Sequence, residues 1–232
     1  MSELMKTYWC ILFFIAVIAQ TASGQVDTAY NVQKVLMDAF RQSAKDSLSS
    51  VDADDADDGK PLTLEYLIEH PSNVRLLAID LRTTPIKKLP AGFDNLSDLT
   101  FIIIMNLPAG ASFDFDDAIN TISGLSSVED IYIINNRGGF KAIPSSIGQM
   151  TNLKRLVCYN NALVTIPTEV GSLENLEELS LEMNRLSQVP PSLGKLKQLK
   201  RLGLEKNLLS RAQCSKLEAL LPGCTVTYSQ TR

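Results

Sequence analysis

Histidine is almost missing from this 232-residue sequence, with His70 its only example. One imidazole with no Cys or His beside it cannot assemble a zinc site. A histidine-dependent Ser or Cys nucleophile would have to recruit His70, which stands before Pro71 at the end of a short helical pattern. No Gly-x-Ser-x-Gly stretch and no phosphate-cradling glycine loop is present either. Positive charge is also short: 22 Lys and Arg against 26 Asp and Glu leave a net charge of −4. A nucleic-acid partner therefore has no electrostatic support, since phosphate binding rests on clustered basic residues. Together these shortages point away from an enzyme and give no reason to expect a cofactor or a metal.

Long apolar runs are lacking too. The stretch from Tyr8 to Ala19 is shorter than the roughly 20 residues a membrane-spanning helix needs. With Lys6 before it and Thr21-Ala22-Ser23-Gly24 after it, residues 1–24 read as a secretory signal, the mature chain starting near Gln25. Lys6 and Glu3 cancel, so removing this segment leaves the net charge unchanged. The location expected is secreted, or periplasmic within a cell envelope, with no stable membrane span once the signal is gone. Of four cysteines, Cys158, Cys214 and Cys224 would remain. Their spacing matches no metal site. Cys158 reads as a small buried residue, and Cys214 and Cys224 flank a short helix, leaving a disulfide between them open.

What the sequence has in abundance is self-similarity. The block Leu153-Lys154-Arg155-Leu156-Val157-Cys158-Tyr159-Asn160-Asn161 returns from Leu176 to Asn184 and again from Leu199 to Asn207, 23 residues apart each time. The connecting segments repeat as well: Ile166-Pro167-Thr168-Glu169-Val170-Gly171 and Val189-Pro190-Pro191-Ser192-Leu193-Gly194, with Ile143-Pro144 and Leu89-Pro90 earlier. Six units result, starting at Val74, Leu99, Val128, Leu153, Leu176 and Leu199. A short strand with alternating apolar residues cannot bury one face alone, but stacked copies form a parallel sheet with a continuous core. Proline suits the connecting turn because it fixes φ and needs no donor there.

The pattern L-x-x-L-x-L-x-x-N joined to I/L-P-x-x-I/L-G-x-L resembles the leucine-rich repeat family, and bacterial secreted members of it in particular. The resemblance implies an α/β fold: a right-handed solenoid with a curved parallel sheet, an irregular or helical convex side, a helical N-terminal cap and a helix-strand C-terminal cap. It also implies that Asn136, Asn161, Asn184 and Asn207 form an internal ladder to the backbone of neighbouring turns. Arg82 and Leu107 stand at that position in the first two units. The second unit is long, carrying Pro108 to Ser127 with the acidic Asp114-Phe115-Asp116-Asp117, and insertions of this kind map to loops, often beside a binding face.

The chain then divides into a signal peptide (1–24), an amphipathic helix (25–48, with Val32, Val35, Leu36, Ala39 and Phe40 at helical spacing) and an acidic linker (49–60). An N-terminal cap (61–73), six repeats (74–210) and a C-terminal cap (211–232) follow. In the cap, Leu217, Leu220 and Leu221 are the apolar positions and residues 222–228 read as a last edge strand. The linker partly matches a calcium loop through Asp54, Asp58, Gly59 and Glu65, but Ala56 stands where an oxygen ligand is required.

In the family, exposed strand positions on the concave face make the contacts. Here units one to four offer Leu76, Ala78, Asp80, Phe101, Ile103, Met105, Asp130, Tyr132, Ile134, Arg155, Val157 and Tyr159, whose apolar and aromatic members Leu76, Phe101, Ile103, Met105, Tyr132, Ile134, Val157 and Tyr159 are the candidate contacts. In the last two units these positions are charged or small, with Glu178, Ser180, Glu182, Arg201, Gly203 and Glu205. A contiguous apolar patch calls for an occupant. A protein or peptide partner is the leading reading. The alternatives are a cover formed by the helix at 28–45, or a homodimer or self-associating envelope component joined through the patch.

Overall fold

The computed structural model describes residues 63–71 and 74–229. All of them belong to one compact unit, Gly59–Arg232. The signal segment, the helix expected over 25–48 and the acidic linker lie outside the described residues.

Seven short strands form one parallel sheet in chain order: β1 (Leu76–Asp80), β2 (Phe101–Met105), β3 (Asp130–Ile134), β4 (Arg155–Val157), β5 (Glu178–Ser180), β6 (Arg201–Gly203) and β7 (Thr225–Thr227). Each of the first six begins two residues after its unit's leading residue, so the repeat register becomes the sheet register: Leu77, Ile102, Ile131, Leu156, Leu179, Leu202 and Val226 pair across it. Strand side chains alternate between faces. One face carries Leu77, Ile79, Ile102, Ile104, Ile131, Ile133, Leu156, Cys158, Leu179, Leu181, Leu202 and Leu204, all buried in a single core. Full burial of one such side chain contributes about 1.5–3 kcal/mol, and stacking the units buries them in series.

The strands stop where the chain turns left-handed. Asn106, Asn135, Asn160, Met183 and Lys206 have φ between 56° and 63°, a region asparagine tolerates and other side chains resist. The return path then crosses 3₁₀ turns at Phe93–Asn95, Ser145–Gln149, Thr168–Ser172 and Pro191–Lys195. Pro144, Pro167 and Pro190 precede the last three in extended conformation. The recurring glycine has a steric cause. A Cβ on Gly148 would lie 2.9 Å from the Glu169 carbonyl oxygen, and one on Gly171 only 2.5 Å from that of Ser192. Glycine thus lets one turn sit against the next.

Two asparagine columns tie the units together. In the inner one, Asn136, Asn161, Asn184 and Asn207 each accept a backbone N–H from the preceding unit through Oδ1, from Leu107, Asn136, Leu163 and Leu186 respectively, at 2.9–3.0 Å. Their Nδ2 groups donate back to backbone carbonyls of the preceding unit, at Ile104, Ile133, Cys158 and Leu181. The outer column is built from the left-handed residues. Asn106 Nδ2 donates to Asp80 Oδ2 (3.1 Å), Asn135 to Asn106 (3.2 Å) and Asn160 to Asn135 (2.5 Å), with Arg137 Nε donating to Asn160 Oδ1.

Three helices complete the unit. Helix α1 (Leu64–Glu69) starts at Thr63, whose hydroxyl accepts the Tyr66 N–H, and ends at His70. The long second unit corrects the sequence reading. Its insertion contains a helix, α2 (Phe115–Ser123), and the acidic run is its start: Asp114 accepts the Asp117 N–H at 2.9 Å, with Asp116 and Asp117 in the first turn, where carboxylates suit the helix dipole. Phe115, Ala118, Ile119 and Ile122 enter the core, and α2 packs on the 3₁₀ turns rather than beside the strands. Helix α3 (Arg211–Leu220) opens with a Ser210/Gln213 capping box. It buries Cys214, Leu217 and the adjoining Leu221, whereas Leu220, expected to be apolar cover, is exposed.

Candidate partner-binding face

The sheet face opposite the core is laid out in rows by the strand register. The first row runs Leu76, Phe101, Asp130, Arg155, Glu178, Arg201 and Thr225; the second runs Ala78, Ile103, Tyr132, Val157, Ser180, Gly203 and Thr227. Asp80, Met105 and Ile134 begin a third. All eight residues singled out from the sequence are outside the core cluster. Phe101, Ile103, Met105, Tyr132 and Ile134 stand together on β2 and β3, flanked by Leu76 on β1 and by Val157 on β4, with Tyr159 just past its end. Phe101 and Tyr132 stack with ring centroids 4.9 Å apart at 28°.

The sequence places this strip on an exposed surface, and here the structure differs. Seven of the eight are buried, at 0–8% exposure, and Leu76 is half-buried. Helices α1, α2 and α3 all turn their apolar sides into the core, so none supplies side chains to this face. The alternative cover, the helix expected at 28–45, lies outside the described residues.

Burial makes the charges within the strip consequential. Asp130 and Arg155 are register partners joined by Arg155 Nη2 to Asp130 Oδ2 at 2.5 Å. Burial pushes the Asp130 carboxyl above its ordinary range, and Arg155 only partly offsets it. Burial likewise drives the Tyr132 phenol well upward, with the Asp130 charge adding to it, so Tyr132 is a neutral hydroxyl at any physiological pH. Further along, Glu182 accepts a hydrogen bond from Ser180 Oγ, and a Cβ on Gly203 would overlap its carboxylate. Burial raises the Glu182 carboxyl, and Glu205 and Glu178 add to the rise. By contrast Asp80, held by both Nε and Nη2 of Arg82, is lowered despite the burial that opposes this.

The remaining reactive groups have structural surroundings. His70 Nδ1 donates to the Tyr66 carbonyl at 3.0 Å and its ring stacks on Tyr66 at 4.3 Å. Cys158 is fully buried in the core, and burial raises its thiol. Cys214 and Cys224 are free thiols, not a disulfide. Among the described residues no group of three His, Cys, Asp or Glu side chains is placed to hold a metal, and no helix is long and apolar enough to cross a membrane.

A leucine-rich repeat family profile matches residues 151–209, the stretch whose strands, turns and inner asparagines repeat in register. Residues 151–209 are leucine-rich repeats, and the described residues have the leucine-rich repeat fold. Among solved structures it is similar to a leucine-rich repeat protein of Leptospira interrogans, with a TM-score of 0.54 and 24% identity, covering 70% of this chain and 38% of that one. An internalin from Listeria monocytogenes is similar at a TM-score of 0.49 and 17% identity, over 71% of this chain and 52% of that one. A plant peptide hormone receptor, solved in complex with RGF2, is similar at 0.47 and 24%, over 69% and 25%. This leucine-rich repeat chain thus spans about half or less of those proteins' lengths. A search of curated proteins finds no match. The matches indicate no catalytic family, and leucine-rich repeats commonly serve as protein-interaction modules.

Proposed function

We propose that this leucine-rich repeat protein is an exported interaction module that binds a protein or peptide on its concave sheet face, through Leu76, Phe101, Ile103, Met105, Tyr132, Ile134, Val157 and Tyr159. The observation that carries the reading is the continuous apolar and aromatic strip on the sheet face away from the core. Aromatic anchors of this kind dominate interface energetics, and these stand outside the main core cluster although they are buried within the chain. Export rests on residues 1–24.

Substituting Phe101→Ala tests the reading. Partner capture should fall by tenfold or more, since anchor truncations cost about 2 kcal/mol or more, while far-UV circular dichroism stays unchanged. Loss of the fold instead would show that the strip is structural. Light scattering checks the alternative of a self-associating envelope component: mass that grows with concentration, and stops growing in the variant, would make the strip a homomeric contact.

A further inference from the structure

After each strand the chain runs along one flank of the solenoid, and the turns stack there in register. The Val164 N–H donates to the Lys141 carbonyl, that of Arg185 to Leu163 and that of Leu208 to Leu186, and Ala142 pairs with Thr165. From the third unit to the sixth this flank comprises residues 135–143, 160–166, 183–189 and 206–211. It holds Arg137, Lys141, Arg185, Lys206 and Arg211, all exposed, and not one Asp or Glu. Residues 81–89 of the first unit likewise carry basic residues without an acid. In a chain of net charge −4, such sorting is a property of the flank and not of the composition.

The basic residues at the strand starts are a contrast. Lys154, Arg155, Lys200 and Arg201 pair with Glu129, Asp130, Glu177 and Glu178 of the preceding units, so that charge is answered within the chain. On the flank, Lys141, Arg185, Lys206 and Arg211 form no salt bridge with a described residue, and Arg137 donates to the neutral Asn160 side chain. Neighbouring units are about 4.8 Å apart, inside the Debye length of about 10 Å at 0.1 M salt, so these potentials add. The same flank carries two of the three exposed large apolar side chains among the described residues. Leu208, 69% exposed, follows the inner Asn207 as Arg185 follows Asn184, and Val164, 48% exposed, lies on the turn bonded to Lys141. A soluble polyanion would answer the charge and leave both in water. An anionic bilayer answers both features, since its headgroups meet the bases and its acyl boundary takes the apolar tips.

We propose that this flank is a peripheral membrane-binding surface, docking on an anionic lipid bilayer through Arg137, Lys141, Arg185, Lys206 and Arg211, with Leu208 and Val164 entering the headgroup boundary. The contact is superficial, and no described helix is long and apolar enough to cross a membrane. The sheet face takes no part in it, so the proposal stands or falls independently of the partner reading.

Co-sedimentation of the full chain with large vesicles tests it. Vesicles of mixed phosphatidylcholine and phosphatidylglycerol should bind the chain, vesicles of phosphatidylcholine alone should bind it far less, and added salt should release it. The triple variant Lys141→Ala/Arg185→Ala/Lys206→Ala should weaken partitioning about a hundredfold, from about fivefold for each basic residue near an anionic surface. Leu208→Ser should weaken it severalfold at unchanged charge. The control Lys195→Ala/Lys197→Ala/Lys216→Ala removes the same charge from exposed positions off the flank and should bind as wild type does. All these positions are exposed, so circular dichroism should be unchanged throughout. Binding that is indifferent to lipid charge, that survives the triple variant, or that is lost equally in the control overturns the proposal. Polyphosphate in place of vesicles separates the sources of negative charge. If the chain binds it as tightly as the vesicles and Leu208→Ser changes neither, the flank takes a soluble polyanion and the membrane proposal falls.

Discussion

Replacing Gly171 with alanine adds one methyl group at the closest approach between two turns. Its φ is not in the left-handed region, so backbone freedom gives no reason to resist the change. On entropy alone Gly→Ala at a compatible site stabilises by about 0.4–1 kcal/mol. The sterics predict the opposite sign. The new Cβ would stand 2.5 Å from the Ser192 carbonyl oxygen and 2.7 Å from the Ser192 Cβ. Backbone cannot rotate away as a side-chain tip can, so the turn at Pro191–Lys195 has to move. Overpacking of this kind costs about 1–3 kcal/mol, which for a chain of this size lowers Tm by about 2–12 °C. Thermal denaturation followed by circular dichroism reads it directly. Gly138→Ala is the control, since nothing lies within 4 Å of a Cβ there; it should be neutral or slightly stabilising. If Gly171→Ala is as stable as wild type or more so, close stacking is not the reason for the recurring glycine.

Other expectations follow from the columns and the buried carboxylates. Asn161→Ala should lose about 2–4 kcal/mol, because it leaves the buried Asn136 N–H and Ile133 carbonyl unanswered; chemical denaturation gives the loss, and hydrogen exchange should show the Asn136 amide deprotected. Met183→Asn should stabilise by about 1 kcal/mol, since Met183 is held at φ 57°, which costs a non-glycine residue about 1–2 kcal/mol and which asparagine tolerates better. The Glu182 carboxyl is raised by burial above its ordinary value of 4.5, so the folded state holds its proton to higher pH than the unfolded chain does. Its contribution is complete below that value and is lost as pH rises through the folded one. Glu182→Gln should therefore match wild type near pH 4 and exceed it at pH 7, a difference that melting curves across that range will detect.

The sheet was legible because the spacing of the leading residues is itself the fold's spacing: a leading Leu or Val, 23 to 29 residues after the last, sets where each strand starts. The same rule hid α2. Reading residues 108–127 as an interruption of the period drew attention from Phe115, Ala118, Ile119 and Ile122, which sit at helical spacing behind the N-capping Asp114. The outer column was missed for a different reason. Asn135-Asn136 and Asn160-Asn161 are visible doublets, but only the stacked turns reveal that the first member of each is left-handed and bonds its neighbour's amide. Cys214, not Leu220, fills the cap's buried position because the helix start at Ser210 sets the rotation. The burial of Asp130 and Tyr132 on the face away from the core depends on shielding that sequence spacing does not encode.

The inner asparagines also bear on how such a chain changes length over generations. Every one of them bonds backward to the unit before it, and nothing in that arrangement depends on how many units follow. A duplication of 23 codons anywhere between Leu153 and Asn207 would hand the new unit the same acceptors upstream and the same donors downstream. The stretch that contains α2 has no such freedom, because its helix fits between two particular turns. Copy number should therefore drift in the second half of the solenoid, while the half that carries Phe101 and Tyr132 keeps its count.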